Sequence, residues 1–213
     1  MNFFNPMQEV DLTRANLPHW EQAGKLCFVT FRLADSMPQE KLKIWEYERD
    51  VWLNAHPQPW SDDEEAEYAE KFRNKIDECL DAGYGSCILR IKECREIVEN
   101  TLKYFDGERY KIYAFVVMPN HVHVLFEPLG AFKIAEILHS WKRFSSQKLN
   151  EFLGKSGALW QKESWDRYIR NQKHFNQTLW QFFWKHRQML ILFGSIKIPM
   201  TTKISIPFCI CHF

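Results

Sequence analysis

The stretch from residue 110 to residue 128 places the strongest constraint on the fold. It reads YKIYAFVVMPNHVHVLFEP, and this density of β-branched and aromatic residues favours β-strands. Pro119-Asn120 is a turn dipeptide between the two apolar halves. The sequence therefore predicts a β-hairpin, with one strand over Tyr110–Met118 and a second strand that begins at His121.

Two histidines stand one residue apart at the start of the second strand. Because strand side chains alternate between faces, His121 and His123 point to one side, and Val122 and Val124 point to the other. Two imidazoles on a rigid strand can supply neighbouring ligands for a divalent cation, and a third ligand or substrate oxygens can complete the shell. His-x-His is a short motif, so the alternative is a half-exposed pair at a strand end without a ligand.

The rest of the chain predicts one further strand and four helices. Residues 25–33 (KLCFVTFRL) predict a strand with Phe28, Thr30 and Arg32 on one face. Apolar periodicity and helix-end signals predict helices over 39–53, 61–80, 91–105 and 131–153. The order of strand, helices, hairpin and helix predicts an α+β domain with an antiparallel sheet covered by helices.

Composition narrows the class of protein. A chain of 213 residues with 46% apolar and 26% charged residues is typical of one globular domain. Its formal net charge of +1 means that any nucleic-acid binding must come from a local patch. We expect no signal peptide, no membrane partner and a cytoplasmic location. The six cysteines lack the paired spacing of a zinc site and are interpreted as free thiols.

Five segments occur in a fixed order along the chain: FVTFRLADSMPQEKLKIWEYERDVWLNAHPQPW, DAGYGSC, FDGERYKIYAFVVMPNHVHVLFEPLG, EILHSWKRFSSQKLN and GALWQKESWDRYIR. Together they resemble the REP-associated tyrosine transposases, a branch of the single-tyrosine HUH transposases. The resemblance implies a ferredoxin-like antiparallel sheet with packed helices, and a divalent metal, Mg²⁺ or Mn²⁺, held by His121 and His123. It also implies an N-terminal extension over 1–24 and an IS200-like transposase domain over 25–180, with a helical insertion at 39–82.

The same resemblance implies a reaction and a partner. A tyrosine on a C-terminal helix attacks a phosphodiester in single-stranded or hairpin DNA, and a cation polarises the phosphate. We expect the protein to act on such DNA as a monomer or a homodimer. Single strands are bound by basic grooves with stacking aromatic side chains. The candidate DNA contacts are Arg32, Lys142, Arg143, Trp160, Lys162 and Arg167.

Two other functions compete with this interpretation. One is a non-catalytic module that binds hairpin nucleic acid. The other is a barrel-type metal hydrolase with a His-x-His motif, although the parallel βα repeat of that barrel is absent from the sequence.

The chain departs from the family at the nucleophile. In the family a tyrosine follows shortly after an HF pair like His174-Phe175, and here Gln181 stands in that place. No tyrosine follows Tyr168, which is a candidate substitute nucleophile, although we favour a packing or DNA-contact role for it. Residues 181–213 contain no Asp or Glu, although the chain has 27. We hypothesise a frameshift near Gln181 that produces an aberrant tail.

Overall fold

A computed structural model of the chain describes residues 1–5, 7, 11–14, 18–57, 60–185 and 190–192. The elements follow in chain order: β1 (Asp11–Arg14), β2 (Pro18–Glu21), β3 (Cys27–Arg32), α1 (Gln39–Ala55), α2 (Asp62–Tyr68), a π-helical segment (Ala69–Asn74), α3 (Lys75–Asp81), a 3-10 turn (Ile88–Arg90), α4 (Lys92–Lys103), β4 (Tyr110–Val117), β5 (His121–Pro128), α5 (Ile134–Leu153), β6 (Trp165–Tyr168), α6 (Gln172–Lys185) and β7 (Leu190–Leu192).

The main sheet is antiparallel and has the strand order β6-β3-β5-β4-β7. Its first four strands have the order of a split βαβ arrangement, because the chain leaves β3 through helices, forms β4, and returns to insert β5 between them. The predicted ferredoxin-like α+β fold is therefore confirmed. Strands β1 and β2 form a separate two-stranded sheet.

Each face of the main sheet packs against different helices. Val29 and Phe31 lie on the face covered by α4 and α5, in one apolar cluster with Trp141. The opposite face, here named the histidine face, carries Thr30 and Arg32 of β3 and both histidines of β5, which are directly paired across the two strands. The predicted alternation of side chains between the two faces of β3 and β5 is confirmed. On each strand, every second side chain is apolar and is buried under helices α4 and α5.

Helix α6 packs on the histidine face. Its Phe175 and Leu179 join Leu26, Ala114 and Leu125 of the sheet in a second apolar cluster. The ring of Phe175 meets that of Tyr113 on β4 edge to face, with centroids 5.7 Å apart. A helix from the C-terminal part of the domain is thereby held against the hairpin of β4 and β5, whose second strand carries the histidines.

Helices α1 to α3 pack around an aromatic cluster of their own, which includes Trp45, Trp52 and Phe72. The cluster reaches the main sheet where the rings of Trp45 and Trp165 lie 6.2 Å apart. The single helix expected over 61–80 is instead divided by the π-helical segment.

The terminal segments are described only in part. Near the N-terminus, the backbone of Asn2 accepts a hydrogen bond from Leu26 N–H, and Phe4 N–H donates to Ile169. Within the tail predicted to be aberrant, α6 continues to Lys185 and β7 pairs with β4; residues 186–189 and 193–213 lie outside the described residues. In the described part of the chain, no helix is both long and apolar enough to cross a membrane.

Candidate metal centre and nucleic-acid interface

The two histidines lie side by side in the middle of the sheet. His121 pairs with Arg32 and His123 with Thr30 on the neighbouring strand. The side chains are 1% and 7% exposed, so the expectation that an unliganded pair would be half-exposed is wrong, although His121 is the first residue of β5. Their Nε2 atoms face each other at 3.1 Å.

This spacing fits a shared cation. Imidazole nitrogens bind a metal such as zinc at about 2.0–2.1 Å, so a cation bonded to both Nε2 atoms would subtend an angle of about 100° between them. That value lies between the angles of octahedral and tetrahedral shells. Among the described residues no third His, Cys, Asp or Glu joins the pair.

Asn120 fixes the tautomer of His121. The buried Asn120 side chain donates from Nδ2 to the carbonyl of Tyr84 at 3.0 Å. This bond assigns its Oδ1 to the contact with Nδ1 of His121, at 2.8 Å. Because a carbonyl oxygen only accepts, Nδ1 of His121 carries the proton and Nε2 keeps its lone pair. Such outer-shell bonds are how proteins orient metal-binding histidines.

The loop that presents the Tyr84 carbonyl requires a glycine. Gly85 has φ +89°, and a Cβ placed there would overlap the backbone carbonyl of Asp35. The Asp35 carboxylate accepts a hydrogen bond from Ser86 N–H at 2.8 Å, which holds the loop against the end of β3. The DAGYGSC segment therefore supports the histidine pair through Asn120, although it lies far from it in sequence.

Thr30 is the partner of the second histidine. Its Oγ1 lies 2.7 Å from Nδ1 of His123. Because a hydroxyl both donates and accepts, Thr30 is compatible with either tautomer of His123, unlike the Asn120 amide oxygen. The ring of Phe28 stacks on the other side of His123 at 5.4 Å. The contacts with Thr30 and Phe28 thus orient the ring of His123, but the Thr30 contact alone does not decide which ring nitrogen carries the proton.

Arg32 places a buried positive charge on the same face. Its side chain is 2% exposed, donates from Nη1 to Ser36 at 3.1 Å, and lies over the ring of Trp165 at 5.4 Å. Its Nε has no hydrogen-bond partner among the described residues. Burial lowers the pKa of Arg32 to about 10, against the opposing field of Glu46, so the guanidinium stays charged at neutral pH.

The other predicted DNA contacts do not form one groove. Arg167 lies on the histidine face, with its guanidinium 5.6 Å from the ring of Phe28. Lys162 is exposed in the loop before β6, and Arg143 is exposed on α5, which packs on the opposite face of the sheet.

Two of the predicted contacts are engaged inside the protein. Lys142 donates from Nζ to the carbonyls of Gln161, Lys162 and Glu163 at 3.0, 3.0 and 3.4 Å. Burial lowers its pKa to about 8, with Glu163 opposing the shift and Arg32 adding to it. Trp160 is buried against Phe31 and donates from Nε1 to Ser145. Its ring is therefore a core group rather than a surface on which DNA bases can stack.

Tyr168 lies on the side of the sheet away from the histidines. It pairs with Cys27 on β3, and both belong to the apolar cluster under α4 and α5. Its hydroxyl accepts a hydrogen bond from Gln22 N–H at 2.9 Å, and its ring stacks on Phe4 at 5.4 Å. These contacts agree with the favoured packing interpretation and leave the hydroxyl remote from the histidine face.

Residue 181, the family's tyrosine position, lies within α6. It comes two residues after Leu179, whose side chain is buried on the histidine face. Helix α6 therefore packs on the same side of the sheet as the histidines. In this chain it carries Gln181.

Three supporting residues were missed by sequence analysis. Asn120 was identified only as a turn former, and Thr30 only as a member of a strand face. Trp165 was missed because β6 is four residues long, and so short a strand has no detectable periodicity. Only the register of the strands brings Thr30 and Trp165 to the histidine face.

The middle of the chain matches a known protein family. Residues 89–169 match the family described as "Transposase IS200 like", and the matched residues include both strands of the histidine hairpin. This match confirms the resemblance to IS200-like transposases over this region of the chain. No curated protein matches the chain in sequence.

One solved structure that is similar to the chain is a REP-associated tyrosine transposase bound to a REP hairpin. The two share 15% sequence identity with a TM-score of 0.43, and the match covers 81% of this chain and 74% of that one.

Proposed function

We propose that this protein binds single-stranded or hairpin DNA of the REP type at the histidine face, with a divalent cation, and that it lacks the nucleophile needed to cut it. The observation that carries the proposal is the buried pair of Nε2 atoms, 3.1 Å apart, on the face of the sheet against which α6, the helix that contains Gln181, also packs.

The cation site consists of His121 and His123. When bound, Mg²⁺ or Mn²⁺ would polarise the non-bridging oxygens of a DNA phosphate and orient it. Asn120 keeps the proton of His121 on Nδ1, so that the lone pair on Nε2 of the neutral ring is available to a cation. When Nε2 of His123 is needed for the cation, its Nδ1 carries the proton and donates a hydrogen bond to Oγ1 of Thr30.

A DNA backbone beside the histidines would meet two positive charges. Arg32 lies on β3, which is next to β5, and Arg167 lies on β6, which is next to β3. The buried Nε of Arg32 has no partner among the described residues. An unpaired buried donor is costly, and a phosphate oxygen satisfies it better than a neutral acceptor does. Trp165, half-buried beside Arg32, supplies an aromatic surface for a base.

The loss of cleavage follows from chemistry at position 181. A tyrosinate can displace a phosphate ester oxygen, whereas the amide of Gln181 is not a nucleophile at neutral pH. Tyr168 does not replace it, because its hydroxyl is bonded to Gln22 on the other side of the sheet.

The test combines a binding assay with a cleavage assay. A labelled hairpin with single-stranded flanks is mixed with the wild-type protein in Mn²⁺ or in EDTA, and is analysed on native and on denaturing gels. We expect a metal-dependent shift on the native gel and no covalent adduct on the denaturing gel. The matched control is the double variant His121→Ala, His123→Ala, for which we expect the metal dependence of the shift to disappear.

Two results would contradict the proposal. A covalent protein–DNA band with the wild-type chain would show that a nucleophile is present. Equal failure of the wild type and the control to shift any hairpin or single strand would remove the DNA-binding assignment itself.

A further inference from the structure

Helix α1 carries a second apolar stripe on its solvent side. The stripe consists of Ile44, Tyr47 and Val51, whose side chains are 60%, 72% and 53% exposed. The opposite side of the helix already supplies its core contacts, through Leu42, Trp45, Arg49 and Trp52. Spacings of three and four residues place the stripe along one line of the helix, which is the arrangement found at a coiled-coil seam.

Charged residues flank this stripe on both edges. Lys43 and Asp50 lie one heptad apart on one edge, and Lys41 and Glu48 lie one heptad apart on the other. All four are exposed. Each edge is therefore positive nearer the N-terminus of α1 and negative nearer its C-terminus.

This charge order is complementary to itself. In an antiparallel pair related by a two-fold axis, each edge of a helix meets the same edge of the second copy in reverse direction. When Ile44 contacts Tyr47 of the second copy, Lys43 lies opposite Asp50 and Lys41 lies opposite Glu48, and the symmetry forms each contact twice. A parallel pair would match only Lys43 with Glu48.

We propose that the exposed stripe of α1 is a homodimer interface in which two copies of this chain pair their α1 helices antiparallel. This inference does not depend on the proposed metal or DNA function. The stripe is short, so the interface is at the low end of specific interfaces, below about 1,200 Å² of buried surface. Association is accordingly expected at micromolar concentrations.

The test uses charge reversal on the edge formed by Lys41 and Glu48. This edge is chosen because Asp50, on the other edge, already pairs with the buried Arg49 at 2.6 Å. Sedimentation equilibrium of the full chain measures the dissociation constant. In Lys41→Glu two carboxylates face each other at each contact, and in Glu48→Lys two ammonium groups do, so each variant alone should dimerise roughly tenfold more weakly than wild type.

Mixing the two variants tests whether residue 41 of one copy lies opposite residue 48 of the other. In the mixed dimer, the carboxylate introduced by Lys41→Glu in one copy faces the ammonium group introduced by Glu48→Lys in the other. The second contact pairs the unaltered Glu48 of the first copy with the unaltered Lys41 of the second, so both contacts are again attractive. The equimolar mixture should therefore recover an affinity close to that of wild type. Lys92→Glu on α4, where the lysine side chain is 74% exposed, changes net charge as Lys41→Glu does and should leave association unchanged.

Three outcomes would overturn the proposal. The first is a wild-type protein that remains monomeric throughout the micromolar range. The second is unchanged association of Lys41→Glu, which would exclude the antiparallel pairing. The third is a mixture that associates no better than its components. Lys41 also donates to the hydroxyl of Tyr84 at 3.3 Å, so circular dichroism of each variant establishes that α1 is intact.

Discussion

Replacing Thr30 by valine tests whether the outer contacts of the histidine pair control cation binding. In the metal-free protein with neutral rings, two lone pairs cannot face each other at 3.1 Å, so one Nε2 must carry a proton. Asn120 holds the proton of His121 on Nδ1, and the shared proton therefore belongs to Nε2 of His123. Thr30 then donates its hydroxyl proton to Nδ1 of His123.

Cation binding reverses this arrangement. To bind a cation, the neutral ring of His123 would need its proton on Nδ1 instead of Nε2, and that N–H would donate a hydrogen bond to the Thr30 oxygen. Valine has nearly the same shape as threonine but can neither donate nor accept. Because loss of an outer-shell partner costs a metal site about 10- to 100-fold in affinity, we expect Thr30→Val to weaken Mn²⁺ binding at least tenfold, or about 1.4 kcal/mol.

Isothermal titration calorimetry of wild type, Thr30→Val and Thr30→Ser with Mn²⁺ measures the effect. The serine variant keeps the hydroxyl and should bind within about threefold of wild type, roughly 0.6 kcal/mol. Equal affinities of the valine variant and wild type would refute the reasoning, because the hydroxyl would then have no part in setting the tautomer of His123. Weak binding by both variants would point to loss of packing instead.

Three further predictions concern residues that support the domain. Gly85→Ala should destabilise the protein by about 1–3 kcal/mol or more in denaturant unfolding, because its φ is +89° and a Cβ would overlap the Asp35 carbonyl; stability equal to wild type would contradict the proposed role of the loop. Burial lowers the pKa of Lys142 from 10.5 to about 8, so the unfolded chain binds more protons between those pH values and the free energy of unfolding should rise with pH there, by up to about 1.4 kcal/mol per pH unit. Lys142→Met should lack this rise in denaturant unfolding at a series of pH values, and parallel profiles of the variant and wild type would exclude the shift. Tyr168→Phe should lose about 1–3 kcal/mol of stability by leaving Gln22 N–H unpaired, with unchanged DNA binding in gel shifts; altered DNA binding would instead indicate that the hydroxyl reaches the nucleic acid.

The hairpin and the strand faces were predictable because their signals are local. A turn dipeptide and a period of two were enough to place His121 and His123 on one face. The partners of the histidines were not predictable, because Thr30 lies 93 residues from His123 in sequence and only tertiary pairing brings them together. The role of Trp160 was predicted wrongly. The sequence shows an aromatic residue near basic ones, but it does not show whether the ring is buried in the core or exposed for base stacking.

The position of β5 in the sheet has a consequence for the order of folding. Its pairing with β4 closes across a short turn, so the hairpin is a local structure that can form early. Its pairing with β3 requires closure of the long chain segment that contains α1 to α4, which is entropically slower. The histidines therefore become neighbours early, while Thr30 reaches His123 only when β3 docks. A cation with full affinity for the pair would thus report the docking of β3, and stopped-flow metal binding during refolding would follow that step separately from formation of the hairpin.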